Sequence, residues 1–185
     1  MFELILIIVS LCITTFAVCL TANVRSCLSN GQRLNVISIL TFIPLMMLWL
    51  GYLFGDLLRS LAGWEHQWMM MLVLFLTGSR MLIKTFRSSA EDRAFDLRNI
   101  KVLLLVAFAL GMNSLIIGTG LSFTSHERAH SFLIFLIASL SLSIIGLILG
   151  KKIGKYELGN KAELLGGFVL LGIGFKIALQ LFGLI

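Results

Sequence analysis

Apolar residues fall in six long runs, 2–22, 34–57, 68–86, 100–123, 131–150 and 162–185, separated by short polar stretches. A helix needs roughly 20 apolar residues to cross the hydrocarbon of a bilayer, and each run meets that length. The pattern predicts six transmembrane helices and an all-α integral membrane protein. The longest polar stretch, about 87–99, is too short to hold a soluble domain. The chain therefore reads as a single transmembrane domain over residues 1–185.

Composition agrees with the pattern. Of 185 residues, 58% are hydrophobic and 13% charged, and the mean hydropathy is +1.01. That lies far above an ordinary soluble domain. The net charge of +6 follows from topology, because no aromatic-basic patch supports a nucleic-acid partner. The first run lacks a basic leader segment, carries Glu3, and is longer than the apolar part of a usual signal peptide. It is expected to be a retained helix. Cys12, Cys19 and Cys27 are odd in number and form no CxxC pair, which predicts free thiols.

Charge sets the orientation. Arg25, Arg33, Lys84, Arg87, Arg93, Arg98, Lys101, Lys151, Lys152, Lys155 and Lys161 fall at the first, third and fifth loops, and only Arg59 and Arg128 at the second and fourth. Lysine and arginine concentrate on the cytoplasmic side, whereas acids count little. The odd loops are expected in the cytoplasm and both termini outside.

The chain also repeats itself. Thr14 and Asn113 lie 99 residues apart, as do the pairs Gly51/Gly55 and Gly150/Gly154. Arg80 in LTGSRMLI and Lys176 in GIGFKIAL lie 96 apart. The spacing predicts repeat one over 1–88 and repeat two over 99–185, joined by a cytoplasmic linker at 87–99. An odd number of spans per repeat forces opposite insertion, the inverted arrangement of many secondary transporters, whose substrate site lies near the midplane.

Polar groups inside the runs are the candidates for chemistry. Asn113 stands in ALGMNSLIIGTGLSF, and an unpaired amide costs roughly 2–7 kcal/mol away from water. Such residues usually face a protein interior. Thr14, Thr15, Asn113 and Ser114 form the expected substrate site, beside Pro44. That proline lacks an N–H and frees the carbonyl of Leu40; the freed carbonyl either belongs to a structural kink or lines a cavity. Arg80 can snorkel to the nearer surface, and Lys176 is deeper. His126, Glu127 and His130 spell HExxH, the helical spacing of a zinc peptidase. Thr124 to Glu127 equally fits a capping box, and a third ligand is lacking, so an enzyme is not expected; a surface metal contact shared with His66 is the other metal reading. Cys12, Cys19, Met46, Met47 and Met112 offer sulfur to a soft ion such as Cu(I), although methionine in an apolar helix is ordinarily filler. Of these, Cys12, Cys19 and Met112 are the candidate metal ligands. None of the nine acids is expected mid-span; Glu3, Asp56 and Glu163 read as helix-end residues.

Several of these stretches are similar to a known family. WEHQWMMMLVLFLTGSRMLIKTFRSSAED (64–92), GKKIGKYELGNKAELLGGFVLLGIGFKI (150–177), the GTGLSF after Asn113 and the FAVC after Thr15 resemble the MntP-type bacterial manganese efflux pumps of the LysE-like exporter group. GNKAELLGGFVLLGIG is the most specific piece. The resemblance covers nearly the whole chain. It implies a small exporter in the bacterial cytoplasmic (inner) membrane that moves a metal cation or another small solute by alternating access. Membrane lipid surrounds it, a homo-oligomer is left open, and no cofactor is expected. The aspartate such pumps carry in span one falls at Thr14, that of span four at Asn113, and a glutamate of span two at Pro44, so all three positions are neutral here. The second reading of the chain is a transport-inactive paralogue serving as a membrane partner or regulator, with its site plugged by side chains.

The basic bias generates a topological expectation. Cysteines introduced in the first, third and fifth loops should be shielded from an impermeant reagent added to intact cells. A probe near Ile185 should react, and its protection would reverse the orientation.

Overall fold

The computed structural model describes residues 2–25, 30–62, 66–87, 99–123, 128–153 and 157–181. They form six helices: α1 (Phe2–Arg25), α2 (Asn30–Ala62), α3 (His66–Arg87), α4 (Ile100–Ser122), α5 (Arg128–Ile153) and α6 (Glu157–Leu181). Lipid offers no hydrogen bonds, so an apolar run must satisfy its backbone internally, which a helix does. Five helices carry spans long and apolar enough to cross a bilayer, and the shorter apolar stretch of α1 is Leu4–Leu20. The protein is an all-α membrane protein.

α2, α3 and α5 extend past their apolar runs at both ends. α2 has 33 residues, or about 50 Å at 1.5 Å per residue, well over the roughly 30 Å of hydrocarbon. It runs through Pro44 as one helix, so the proline removes one hydrogen bond without ending the element. At the start of α4 the Asn99 side chain accepts from the Lys101 N–H at 3.1 Å. This caps one of the donors a helix leaves unsatisfied.

The bundle is apolar on both its faces. Leu40, Leu48, Leu74, Phe135 and Leu170 are fully buried, whereas Phe42, Leu105, Ile137, Phe168 and Phe175 lie on the outer surface, where lipid would cover them. Neighbours are chosen across the chain. α1 packs on α5 and α6, α2 on α4, and α3 on α6, with lesser contacts of α3 with α4, α2 with α5 and α1 with α4. Every one of these pairs joins the first three helices to the last three.

Close backbone approach makes two of these seams. A Cβ on Gly51 would strike the Leu115 carbonyl and the Gly118 Cα, and one on Gly55 would strike Thr119 and Ser122. Across the other seam, a Cβ on Gly146 would lie 2.9 Å from the Phe16 carbonyl, and one on Gly150 would strike the Leu20 carbonyl. Between helices in lipid there is no hydrophobic drive, so association depends on close packing at small residues. Phe16 and Leu115 are 99 positions apart, as are Leu20 and Thr119, but the glycines they meet are 95 apart, Gly51 with Gly146 and Gly55 with Gly150. The 99-residue spacing in the sequence instead matches Gly51 to Gly150, one turn away, and Gly55 to Gly154, which lies outside the described residues. In the α3–α6 seam Gly78 meets Leu171 and Gly174 meets Phe75; the two glycines are 96 positions apart, as are Phe75 and Leu171.

Overpacking a tight contact costs about 1–3 kcal/mol. Gly51→Val and Gly150→Val should each lower the thermal unfolding temperature in detergent. Gly172 has nothing within 4 Å of an added Cβ, so Gly172→Ala should leave that temperature unchanged or raise it.

Candidate functional site

All five residues of the expected substrate site are buried: Thr14 and Thr15 on α1, Pro44 on α2, Asn113 and Ser114 on α4. α1 touches α4 along a short crossing, and α2 lies along α4 as its main partner. Thr15 and Ser114 immediately precede Phe16 and Leu115, whose carbonyls face the seam glycines. The glycine contacts thus fix the helical turns that carry these side chains. The Thr14 hydroxyl donates to the Leu11 carbonyl of its own helix at 2.6 Å. This leaves its oxygen lone pairs as acceptors, the form in which a hydroxyl meets a cation.

Further buried hydroxyls, which the spacing of residues does not single out, lie on α2 and α5. Thr41 Oγ1 on α2, one turn before Pro44, is buried and has no hydrogen-bond partner. On α5, Ser131, Ser139 and Ser143 share one face with Phe135 and Leu147, all buried, and none of the three hydroxyls makes a geometrically good hydrogen bond. Ser139 stands 95 positions after Pro44, the same spacing as the seam glycines. Unpartnered buried hydroxyls are costly, and native proteins keep few of them. A serine in a membrane helix is common enough to hide this signal in the sequence. Its one legible trace is the four- and eight-residue spacing of Ser131, Ser139 and Ser143 on one helix face.

The sulfur candidates separate. Cys12 and Cys19 are buried on α1 facing α5, where the Cys12 thiol points at the Phe135 carbonyl across 4.0 Å and Cys19 meets Ser143 and Gly146. Met112 and Met46 lie on the exposed surface of the bundle, at 38% and 44%. Met47 packs on Gly111. Among the described residues no three His, Cys, Asp or Glu side chains gather as a metal cluster.

Charged candidates leave the interior. Arg80 and Lys176 are both exposed on the outside of the bundle, as snorkelling requires. His126, Glu127 and Thr124 lie outside the described residues, and His130 is exposed in the first turn of α5. The one charged residue that is buried among the described side chains is Glu163. The apolar run places it at a helix end, yet it lies six residues inside α6. Its Oε1 pairs with Lys84 Nζ at 3.2 Å.

A bundle of helices with apolar outer faces and buried neutral polar groups defines a multi-pass membrane protein. The chain belongs to the Mntp family, described as "Putative manganese efflux pump", whose family model matches residues 27–178. It is 31% identical over 161 residues to the protein of that description, MntP, from Pectobacterium carotovorum, which covers 86% of this chain and 81% of the relative. The Pectobacterium atrosepticum protein is also 31% identical, over 86% of this chain and 82% of its own length. That of Yersinia pestis (strain Pestoides F) is 32% identical over 154 residues, 83% of this chain and 78% of the relative. These relatives are named for efflux, which is transport and not an enzyme class. No solved structure matches the chain.

Ser139 separates stability from function. Ser139→Ala removes a buried hydroxyl without a partner, so it should leave unfolding stability unchanged or raise it by about 1 kcal/mol. Should Ser139 face the substrate, the same variant will slow transport; unaltered transport would confine it to the seam.

Proposed function

We propose that the chain is a small exporter of cations in the bacterial inner membrane, working by alternating access between two inverted repeats, 1–88 and 99–185. Family membership together with a buried, neutral cluster of hydroxyl, amide and carbonyl groups in a membrane bundle supports this reading. Exchange of partners between the halves of the chain fits the inversion. The odd loops and the linker at 87–99 face the cytoplasm in this arrangement, and the termini face outward. The central site is formed by Thr14, Thr15, Asn113 and Ser114, with Thr41, Ser139 and the Leu40 carbonyl released by Pro44.

The donor set limits the affinity. Carboxylates help offset the charge and dehydration of a divalent ion. Here the buried groups are dipoles only, and an uncompensated charge in a low-dielectric interior is expensive. Manganese, the substrate in the relatives' name, therefore binds weakly at this centre, and the transported ion is held only in passing.

Isothermal titration with manganese is the direct measurement. Thr14→Asp combined with Asn113→Asp should strengthen binding over the natural protein. Tight binding by the natural protein that survives Thr14→Ala and Asn113→Ala would place the site elsewhere. Export from everted vesicles, tested across several divalent and monovalent ions, identifies the cargo; export of none of them would favour the transport-inactive membrane partner.

A further inference from the structure

The Lys84–Glu163 pair is built unequally. The Glu163 side chain is 5% exposed and the Lys84 side chain 46%. Glu163 lies about 9 Å along α6 from its first residue, at 1.5 Å per residue. The next turn of α6 is pressed into its neighbours. A Cβ on Gly166 would lie 3.1 Å from both the Ser10 carbonyl of α1 and Met81 of α3, and one on Gly167 3.1 Å from Leu82. The Ser10 hydroxyl donates to the Gly166 carbonyl at 3.2 Å. The carboxylate therefore sits at the junction of α1, α3 and α6, while its partner reaches in from the surface on a flexible stem.

That geometry has a chemical meaning. A buried carboxylate requires a positive charge beside it. A lysine ammonium supplies a strongly hydrated point charge on four methylenes, and a half-exposed one can return to water at little cost. Lys84 and Glu163 belong to the end of the bundle that carries the basic loops. Under the 96-residue spacing of α3 and α6, the corresponding positions at the other end are Gln180 and Gln67, both neutral. Among the described side chains the buried anion is thus present at one end only. The oxygens of Ser10 and Gly166 lie one turn further in, towards the neutral centre.

We propose that Glu163 is a loading site for a divalent cation, and that Lys84 is a tethered placeholder which the arriving ion displaces. The inference rests on the exporter reading for its direction, cytoplasm to outside, but not for the binding itself. The ion keeps most of its water and takes one or both carboxylate oxygens. Lys84 swings to solvent, so the charge at the junction stays balanced throughout. When the ion moves inward, the ammonium returns and neutralises the carboxylate behind it.

The test uses the full chain in detergent or nanodiscs, with manganese as the probe, followed by titration and by electron paramagnetic resonance of the free ion. Removing the placeholder removes a competitor. Lys84→Gln should therefore bind manganese more tightly than the natural protein, by up to about fivefold from the usual strength of a partly exposed ion pair. Lys84→Arg should stay near the natural affinity. Glu163→Gln should abolish this binding, alone or combined with Lys84→Gln. A purely structural pair gives a different result: Lys84→Gln and Glu163→Gln then lower thermal stability together and leave manganese affinity unchanged, and that overturns the proposal. Binding lost in Lys84→Gln overturns it as well. Running Thr14→Asp with Asn113→Asp in the Glu163→Gln background reports the central site by itself. Tight manganese binding by Lys84→Gln, with no export of any ion by the natural protein, would uphold the loading site and sink the exporter.

Discussion

The close approach of helix backbones at small residues is the contact on which the rest of this structure depends. Apolar side chains gain little by leaving lipid for a protein interior that is equally apolar. What remains is van der Waals contact at short range and weak Cα–H···O attraction, and both need the Cβ out of the way. Gly51 and Gly118 provide this between α2 and α4, and Gly146 and Gly150 between α5 and α1. The polar residues Thr15 and Ser114 each sit one position before a carbonyl held in such a contact. The same contacts that join the halves set the depth and facing of the groups proposed for the substrate site.

Much of this was legible in the sequence. Six apolar runs gave the helices, and Thr14, Thr15, Pro44, Asn113 and Ser114 are all buried as their polarity or backbone chemistry required. The register of the second and fifth helices was not legible, for a geometric reason. Gly146, Gly150 and Gly154 form a ladder with a step of four residues, nearly one helical turn, so sequence spacing cannot say which rung meets Phe16 or Leu20. Facing was hidden for another reason. In a membrane protein the core and the lipid surface are both apolar, and Met47 and Met112 look alike in sequence although one packs on Gly111 and the other is exposed. Glu163 was hidden because distance along a helix does not reveal how far a neighbouring helix covers it.

Charge is distributed along the bundle in a telling order. The centre offers oxygens with dipoles, the outer surface carries Arg80 and Lys176, and the one buried carboxylate among the described side chains sits near the basic end. A path that must hand on a cation works best when no station holds it too tightly. In the proposed exporter, the neutral oxygens of Thr14 and Asn113 give a shallow well, and the Glu163 carboxylate matched by Lys84 gives another. The steepest electrostatic feature of the proposed path then lies towards one end.

The exchange of partners between the halves has a consequence for biosynthesis. Each helix inserts as it is made, but its principal neighbour comes from the other half of the chain. Translation runs at about 5–20 residues per second, and 60 residues separate the end of α2 at Ala62 from the end of α4 at Ser122, so α2 waits roughly 3–12 s before α4 is complete. During that interval the glycine face of α2 and the face of α1 around Phe16 and Leu20 are open to lipid or to the same faces of another nascent chain. Mispairing between ribosomes reading one message is therefore the characteristic hazard of this topology, and a prematurely terminated chain would leave three inserted helices with no native neighbour to find.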